Sequence, residues 1–119
     1  MQQVGKITKE VIGLLGLSVS DGTPIFMGQS NIQHMQQRHP SDYQKYGAYI
    51  PSILATPDYV GMNPTDGSIE YVKEFSINGD YVKVAVRIAG TGKYYARSLY
   101  VLNPSRVKNF IARGTLKRA

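Results

Sequence analysis

The most constraining feature of this sequence is an alternation of apolar and polar residues, with a period of two, that begins near residue 58. In the clearest segment, residues 81–88, one face carries Val82, Val84, Val86 and Ile88. Turn sequences that contain glycine flank this segment, at residues 78–80 and 89–92. The pattern predicts an antiparallel meander of four strands at residues 59–62, 68–75, 81–88 and 93–102.

The first half of the chain and its last part carry the signals of short helices. Ser30 is a suitable N-cap, and Pro40 ends that first helix because it moves His39 out of helical geometry. Pro40 can itself begin the next helix, and Asn103 can cap the last one. The predicted helices cover residues 30–38, 40–46, 49–54 and 104–112.

Two segments near the start of the chain complete the predicted layout. Residues 24–27 are predicted to form a short strand, and residues 5–16 fit either a short helix or a strand followed by a turn. The predicted fold class is therefore α+β, with N-terminal helices packed on a four-stranded antiparallel sheet and a short basic C-terminal helix. A length of 119 residues corresponds to a single domain, residues 1–119.

Composition excludes several classes of function. The chain has no cysteine, which rules out a disulfide framework, a thiolate nucleophile and a zinc site built from cysteines. No segment has the features of a signal peptide, and the longest apolar stretch, residues 11–17, is too short to cross a bilayer. We therefore expect a cytoplasmic protein that has no membrane partner.

The charges are separated along the chain. Residues 1–80 hold all eight acidic residues and five Lys or Arg, whereas residues 81–119 hold nine Lys or Arg and no acid. Such one-sided charge is typical of a surface that binds a polyanion, and nucleic acid is the favoured partner. The alternative is a solvated basic face that only helps solubility.

Both histidines lie within residues 34–39, together with Arg38. His34 and Arg38 are four residues apart and would share one face of the predicted helix. His39, which Pro40 holds at the helix end, would lie nearer the apolar side.

Three interpretations of this histidine motif are open. Histidines five residues apart, with no acid between them, are poorly placed to bind one metal ion. One histidine could instead cap the helix or satisfy a polar group in the core. The third interpretation is acid–base and phosphate chemistry, because imidazole titrates near neutral pH and a guanidinium fits a phosphate.

A second motif occupies residues 93–100. Strict strand alternation would place Tyr94, Ala96, Ser98 and Tyr100 on one face, and Lys93, Tyr95, Arg97 and Leu99 on the other. Tyrosine and cationic side chains on an exposed sheet can bind phosphate and stack on unpaired bases. The tyrosines could equally be residues that favour strands, with hydrated hydroxyl groups. Ser98 is more informative, because a small hydroxyl residue packs weakly among bulky neighbours.

These motifs resemble the phage-associated members of the barnase–EndoU–colicin–RelE-like nuclease superfamily. The resemblance covers most of the chain and is carried by residues 24–28, His34, Arg38, His39, residues 49–51, residues 56–58, Tyr94, Ala96 and Ser98. It implies helices packed on a four-stranded antiparallel sheet, with an active site on the exposed sheet surface.

The resemblance also implies a ribonuclease that needs no metal and no cofactor. In such enzymes a base activates the ribose 2′-hydroxyl, which attacks the neighbouring phosphorus, and an acid protonates the leaving 5′-oxygen. By position, His34 and His39 would be the base and the acid in an unassigned order, and Arg38 would hold the phosphate. Ser98 would donate a hydrogen bond to a phosphate oxygen.

The sequence leaves more than one function open. The predicted RNA-binding residues are Lys83, Arg87, Lys93, Tyr94, Arg97 and Tyr100. A ribonuclease of this kind would act in a phage-infected or target bacterial cell, and an acidic immunity protein or antitoxin would be its inhibitor. The alternatives are an RNA-binding module without catalysis and a phage accessory protein whose basic face docks on an acidic partner.

Overall fold

The four strands of the predicted meander form the centre of a larger mixed sheet in the computed structural model, which describes residues 1–119. The strands are β1 (Gln2–Ile7), β2 (Thr23–Met27), β3 (Tyr59–Met62), β4 (Ile69–Phe75), β5 (Asp80–Ile88), β6 (Tyr94–Leu102) and β7 (Leu116–Arg118). Their order across the sheet is β1-β2-β6-β5-β4-β3-β7, and only β2 and β6 are parallel. The meander strands β3 to β6 lie within one residue of their predicted ends.

The prediction of a four-stranded, wholly antiparallel sheet was wrong, because the sheet has seven strands and is mixed. The additional strands are β1 and β2 on one side and β7 on the other. β7 has only three residues, and the short sequence of β1 contains two glutamines and a glycine. Neither strand has enough local alternation to be predicted, so long-range pairing with β2 and β3 defines them.

The helices follow the proline signals closely. They are α1 (Lys9–Leu15), α2 (Gln29–Arg38), α3 (Pro40–Tyr46), α4 (Ile50–Ala55) and α5 (Pro104–Ala112), with a 3-10 turn at Gly47–Tyr49. Residues 5–16, for which two structures were open, contain the end of β1 followed by α1. The predicted Ser30 N-cap was wrong. Gly28 is the N-cap, and its N–H donates to Asn31 Oδ1 at 2.8 Å.

The two faces of the sheet pack against different helices. On one face, α1 to α4 complete the main core, which includes the fully buried side chains of Met35, Tyr46, Ile50, Ile53, Tyr71 and Leu99. On the other face, α5 packs through Val107 on a smaller core made by Val72, Leu102 and Leu116. We call this second side of the sheet the α5 face. Arg87 is exposed and Ser98 half-buried on it, so part of the α5 face stays open.

A β-bulge at Arg97 changes which residues of β6 share a face. Ser98 pairs with Ala85 and Ala96 pairs with Val86, so Arg97 is the additional residue. Past the bulge, Leu99 faces the main core, whereas Ser98 and Tyr100 face α5. The predicted strict alternation through residues 93–100 was therefore wrong.

The outer edge of β6 is covered by a helix rather than by a strand. β2 pairs with β6 only at Tyr94 and Tyr95, which leaves the rest of that edge without a strand partner. Farther along this edge, the backbone N–H of Val101 donates to Asp42 Oδ2 at 3.1 Å. Asp42 lies in the first turn of α3. The helix corner between α2 and α3 is thus attached beside β6.

Candidate active site

His39 occupies the corner between α2 and α3. Its backbone angles, φ −140° and ψ 68°, lie outside helical geometry because Pro40 follows it. Its N–H still donates to the Met35 carbonyl oxygen at 3.0 Å, and its carbonyl oxygen accepts from the Tyr43 N–H at 2.9 Å. Two helices therefore hold the backbone of this half-buried histidine in place.

The imidazole of His39 stacks on the phenol ring of Tyr100. The ring centroids are 4.9 Å apart and the planes differ by 27°. The ammonium of Lys83 lies 4.6 Å from the centroid of the same tyrosine ring, which is cation–π distance. Tyr100 and Lys83 are direct cross-strand partners on the α5 face. Imidazole, phenol and ammonium groups thus form one contiguous cluster there.

Lys83 is anchored by an ion pair with Glu70. Its Nζ donates to Glu70 Oε2 at 2.8 Å, and both side chains are about 10% exposed. Burial disfavours the charge on Lys83, but the hydrogen bond to Glu70 and the contact with Tyr100 outweigh that cost. The pKa of Lys83 is therefore raised above its ordinary value. The Lys83 ammonium therefore stays charged at neutral pH, and the carboxylate of Glu70 balances that charge.

Ser98 lies on the same face as this cluster. It is two residues from Tyr100 along β6 and pairs with Ala85 across β5. Arg87 and Tyr95 form the next cross-strand pair on the α5 face. The strict alternation that would separate Tyr95 from Ser98 does not hold, because the bulge at Arg97 places Tyr95 on the same side as Ser98. A hydroxyl, a phenol and a guanidinium therefore line the open part of the sheet.

Not every predicted RNA-binding residue is on this surface. Tyr94 packs against the main core on the opposite face, because strand pairing places it beside Ile88 and Ile25. Lys83 is on the α5 face but is buried and already paired with Glu70. Tyr94 therefore lies apart from the α5 face and Lys83 is not free for an exposed contact, and their role in RNA binding stays a prediction. Arg87, Lys93 and Arg97 are exposed, and Tyr100 is half-buried.

His34 and Arg38 lie on the solvent-exposed side of α2. Neither side chain forms a hydrogen bond or an ion pair within the chain. His39 is the histidine that contacts the sheet, through Tyr100, and Tyr100 lies on the same face as Ser98. The structure thus separates the predicted four-residue site into two anchored members, His39 and Ser98, and two exposed ones.

A cavity of about 300 Å³ opens beside the cluster, between the sheet, the β3–β4 turn and α5. Its lining includes Tyr100 and the Lys83–Glu70 pair, and α5 adds Arg106 and Phe110. Sequence reasoning did not single out Glu70 or the residues of α5. A register argument from the Asn78-Gly79 turn could have found Glu70, because it sets Glu70 opposite Ala85 and diagonal to Lys83.

The chain has neither a metal-binding cluster of side chains nor a membrane-spanning helix. No group of three or more His, Asp or Glu side chains is arranged so that it could hold a metal ion. No helix has the length and apolar character that a membrane span requires.

The fold is an α+β fold in which one side of a mixed sheet carries a histidine, a serine and several cations. A family model described as phage-Barnase-EndoU-ColicinE5/D-RelE like nuclease3 (PBECR3) matches residues 2–109, so the chain belongs to this nuclease family. The resemblance drawn from the sequence motifs is thereby confirmed. Comparison with curated proteins and with solved structures gave no significant match.

Proposed function

We propose that this protein is an endoribonuclease that cleaves RNA without a metal ion, by attack of the ribose 2′-hydroxyl on the neighbouring phosphodiester. The observation that carries the proposal is the stacking of His39 on Tyr100, which holds an imidazole against a side chain of the sheet face that also presents Ser98. Membership of a nuclease family supports phosphodiester cleavage in general. That the substrate is RNA, and that the 2′-hydroxyl is the attacking group, is our inference.

The proposed reaction is a transesterification. A base removes the proton of the 2′-hydroxyl, the 2′-oxygen forms a bond to phosphorus, and the bond from phosphorus to the 5′-oxygen breaks. An acid protonates that leaving oxygen. The products are a 2′,3′-cyclic phosphate and a 5′-hydroxyl end, and DNA is not cleaved by this route because it lacks the attacking group.

The residues have distinct proposed roles. His39 transfers a proton, because an imidazole can act both as a general base and as a general acid. Ser98 donates a hydrogen bond to a non-bridging phosphate oxygen, where negative charge develops in the transition state. His34 is the candidate for the second proton transfer and Arg38 for phosphate binding, both from the exposed side of α2.

The test is cleavage of a defined single-stranded RNA in the presence of excess EDTA. We expect cleavage to continue and the products to carry cyclic phosphate ends, which mass spectrometry identifies directly. The matching DNA oligonucleotide and an RNA with 2′-O-methyl groups should stay intact. Cleavage that stops in EDTA, or that also consumes the DNA, would contradict the mechanism.

A second candidate function is binding of a polyanion without cleavage. Of the nine basic residues in 81–119, Lys83 alone forms an ion pair with an acid, so eight cations remain available to a partner. The partner would be RNA, or an acidic protein of the immunity or antitoxin type. Both functions predict binding that weakens with salt, so cleavage rather than salt dependence distinguishes them. RNA that binds tightly but is recovered intact would favour this second function.

A further inference from the structure

The cavity beside the candidate active site has the chemistry of a binding site for one nucleotide. Its volume of about 300 Å³ lies at the small end of the range for small-molecule pockets. It shares Lys83 and Tyr100 with the cluster that contains His39. A nucleotide bound here would therefore adjoin a phosphate placed at that cluster.

The floor of the cavity is the buried ion pair between Lys83 and Glu70. Burying two charges is costly, and an apolar pair of similar volume commonly stabilises a fold as well or better. Both hydrogen bonds to Glu70, from Lys83 Nζ and from Asn63 Nδ2, are accepted by Oε2. The other oxygen, Oε1, accepts no hydrogen bond from the protein and is not sealed from solvent. The floor thus presents an available acceptor to a ligand.

The walls and the rim of the cavity supply two further groups. Tyr100 and Phe110 are both half-buried and line it as aromatic walls. Arg106 and Arg113 are exposed at the rim, and neither is paired with an acid. The guanidinium of Arg106 lies 5.8 Å from the centroid of the Phe110 ring. Aromatic walls suit a flat base, and the arginines suit a phosphate.

We infer that this cavity is a nucleotide subsite for the RNA substrate, which rests on the proposed function. The base lies against Tyr100 and Phe110 and donates an N–H to Glu70 Oε1, while Arg106 and Arg113 hold the flanking phosphate. An acidic peptide fits less well, because its carboxylates would meet the carboxylate of Glu70. The subsite would select the nucleotide next to the bond that is cleaved.

Titration of the intact protein with nucleoside monophosphates and with ribose 5-phosphate tests the subsite, with amide chemical shifts in two-dimensional NMR as the readout. We expect at least one nucleotide to bind about tenfold or more tightly than ribose phosphate, because a stacked base contributes to affinity. The perturbed amides should lie at residues 63–70, 100–102 and 106–115. Equal affinities, or perturbation confined to other residues, would overturn the inference.

Two sets of variants test separately the contact with the base and the contact with the phosphate. The double substitution E70L/K83M should keep the fold, because no charge is left unpaired, and should remove the advantage of the nucleotide over ribose phosphate. Arg106→Ala should weaken both ligands severalfold, whereas Lys108→Ala, on the same helix but outside the cavity, should change neither. If E70L/K83M is poorly folded, the comparison of R106A with K108A still decides. Equal affinities in those two variants would contradict the subsite.

Cleavage of RNA by the wild-type protein, measured separately, distinguishes this inference from the proposed function. Cleavage without nucleotide binding in the cavity overturns the subsite and leaves the ribonuclease function standing. Nucleotide binding in the cavity without any cleavage supports the subsite and contradicts the ribonuclease function.

Discussion

The His39 imidazole and the Tyr100 phenol ring are stacked, with their centroids 4.9 Å apart. This contact joins a helix corner to a central strand of the sheet, between two residues that are 61 positions apart in the sequence. The ammonium of Lys83 contacts the same tyrosine ring.

Replacing His39 by alanine should reduce RNA cleavage by about 10²–10⁴-fold, because general acid–base catalysis contributes on that order. The measurement is the single-turnover rate on a defined RNA. Gln37→Ala is the matched control, since Gln37 is exposed in the last turn of α2. An undiminished rate in both His39→Ala and His34→Ala would remove histidine catalysis from the mechanism.

Ser98→Ala should lower the cleavage rate by about 10–10³-fold, in the range seen when one donor to a transition-state oxygen is lost. The fold should tolerate this change, because alanine is accommodated opposite Ala85 in the β5–β6 pair. Binding of an uncleavable 2′-O-methyl RNA should change much less than the rate. A loss of binding as large as the loss of rate would indicate that Ser98 contributes to binding of the RNA substrate rather than to stabilisation of the transition state.

The Lys83–Glu70 pair should show strong coupling in a double-mutant cycle. Either single variant, K83M or E70L, leaves one buried charge unpaired and should cost about 3–5 kcal/mol of unfolding free energy. The double variant E70L/K83M should recover most of that loss. Chemical denaturation measures all four proteins, and additive effects of the two substitutions would show that the residues do not form a coupled pair.

Stability should depend on pH through Asp80. The hydrogen bond from the Tyr46 hydroxyl, with a smaller contribution from Lys45, holds the pKa of Asp80 below its ordinary value. A lowered folded-state pKa stabilises the protein above the unfolded pKa of 3.8, and this contribution is lost as pH falls through the folded value. Tyr46→Phe should therefore cost about 1–2 kcal/mol at pH 7 and less at pH 2–3.

Thermal unfolding as a function of pH measures this effect. Tyr49→Phe is the control, because Tyr49 is adjacent in the aromatic cluster but its hydroxyl has no hydrogen bond within the chain. The prediction fails if the deficit of Tyr46→Phe is the same at pH 7 and at pH 2–3.

Gly61→Ala should destabilise the edge of the sheet. A Cβ atom at Gly61 would overlap the carbonyl oxygen of Thr115, next to the pairing of β3 with β7. Overpacking against backbone costs about 1–3 kcal/mol or more. Gly13→Ala is the control, since no atom lies within 4 Å of the new Cβ inside α1, and it should be neutral or stabilising by about 0.5–1 kcal/mol. Equal stabilities of the two variants would contradict this packing.

Local signals predicted the elements whose ends are set by proline or glycine. Pro40 and Pro104 each fix the first turn of a helix, and the bounds of α3 and α5 agree with the sequence. The strands β1 and β7 were not predicted from local signals, because pairing with the strands β2 and β3 defines them. The extent of a sheet depends on such long-range pairing rather than on local pattern.

The candidate site was predictable only in part for a similar reason. The motif at His39 and the position of Ser98 are visible in the sequence, and in the structure His39 contacts Tyr100, which shares the α5 face with Ser98. The bulge at Arg97 has no local signal such as glycine, so the sequence assigned Tyr94 and Tyr95 to the wrong sides. The cavity requires α5 to pack across β4 and β5, which no local pattern specifies.

The hydrogen bond from the Val101 N–H to Asp42 protects the edge of β6 against association with other copies of the protein. An uncovered strand edge can recruit another strand, and the carboxylate of α3 occupies one of the donors that such recruitment would use. The same helix begins directly after His39. A substitution that loosens α3 would therefore both release the His39 imidazole and expose the edge of β6 to aggregation. Variants of this kind should lose activity and solubility together.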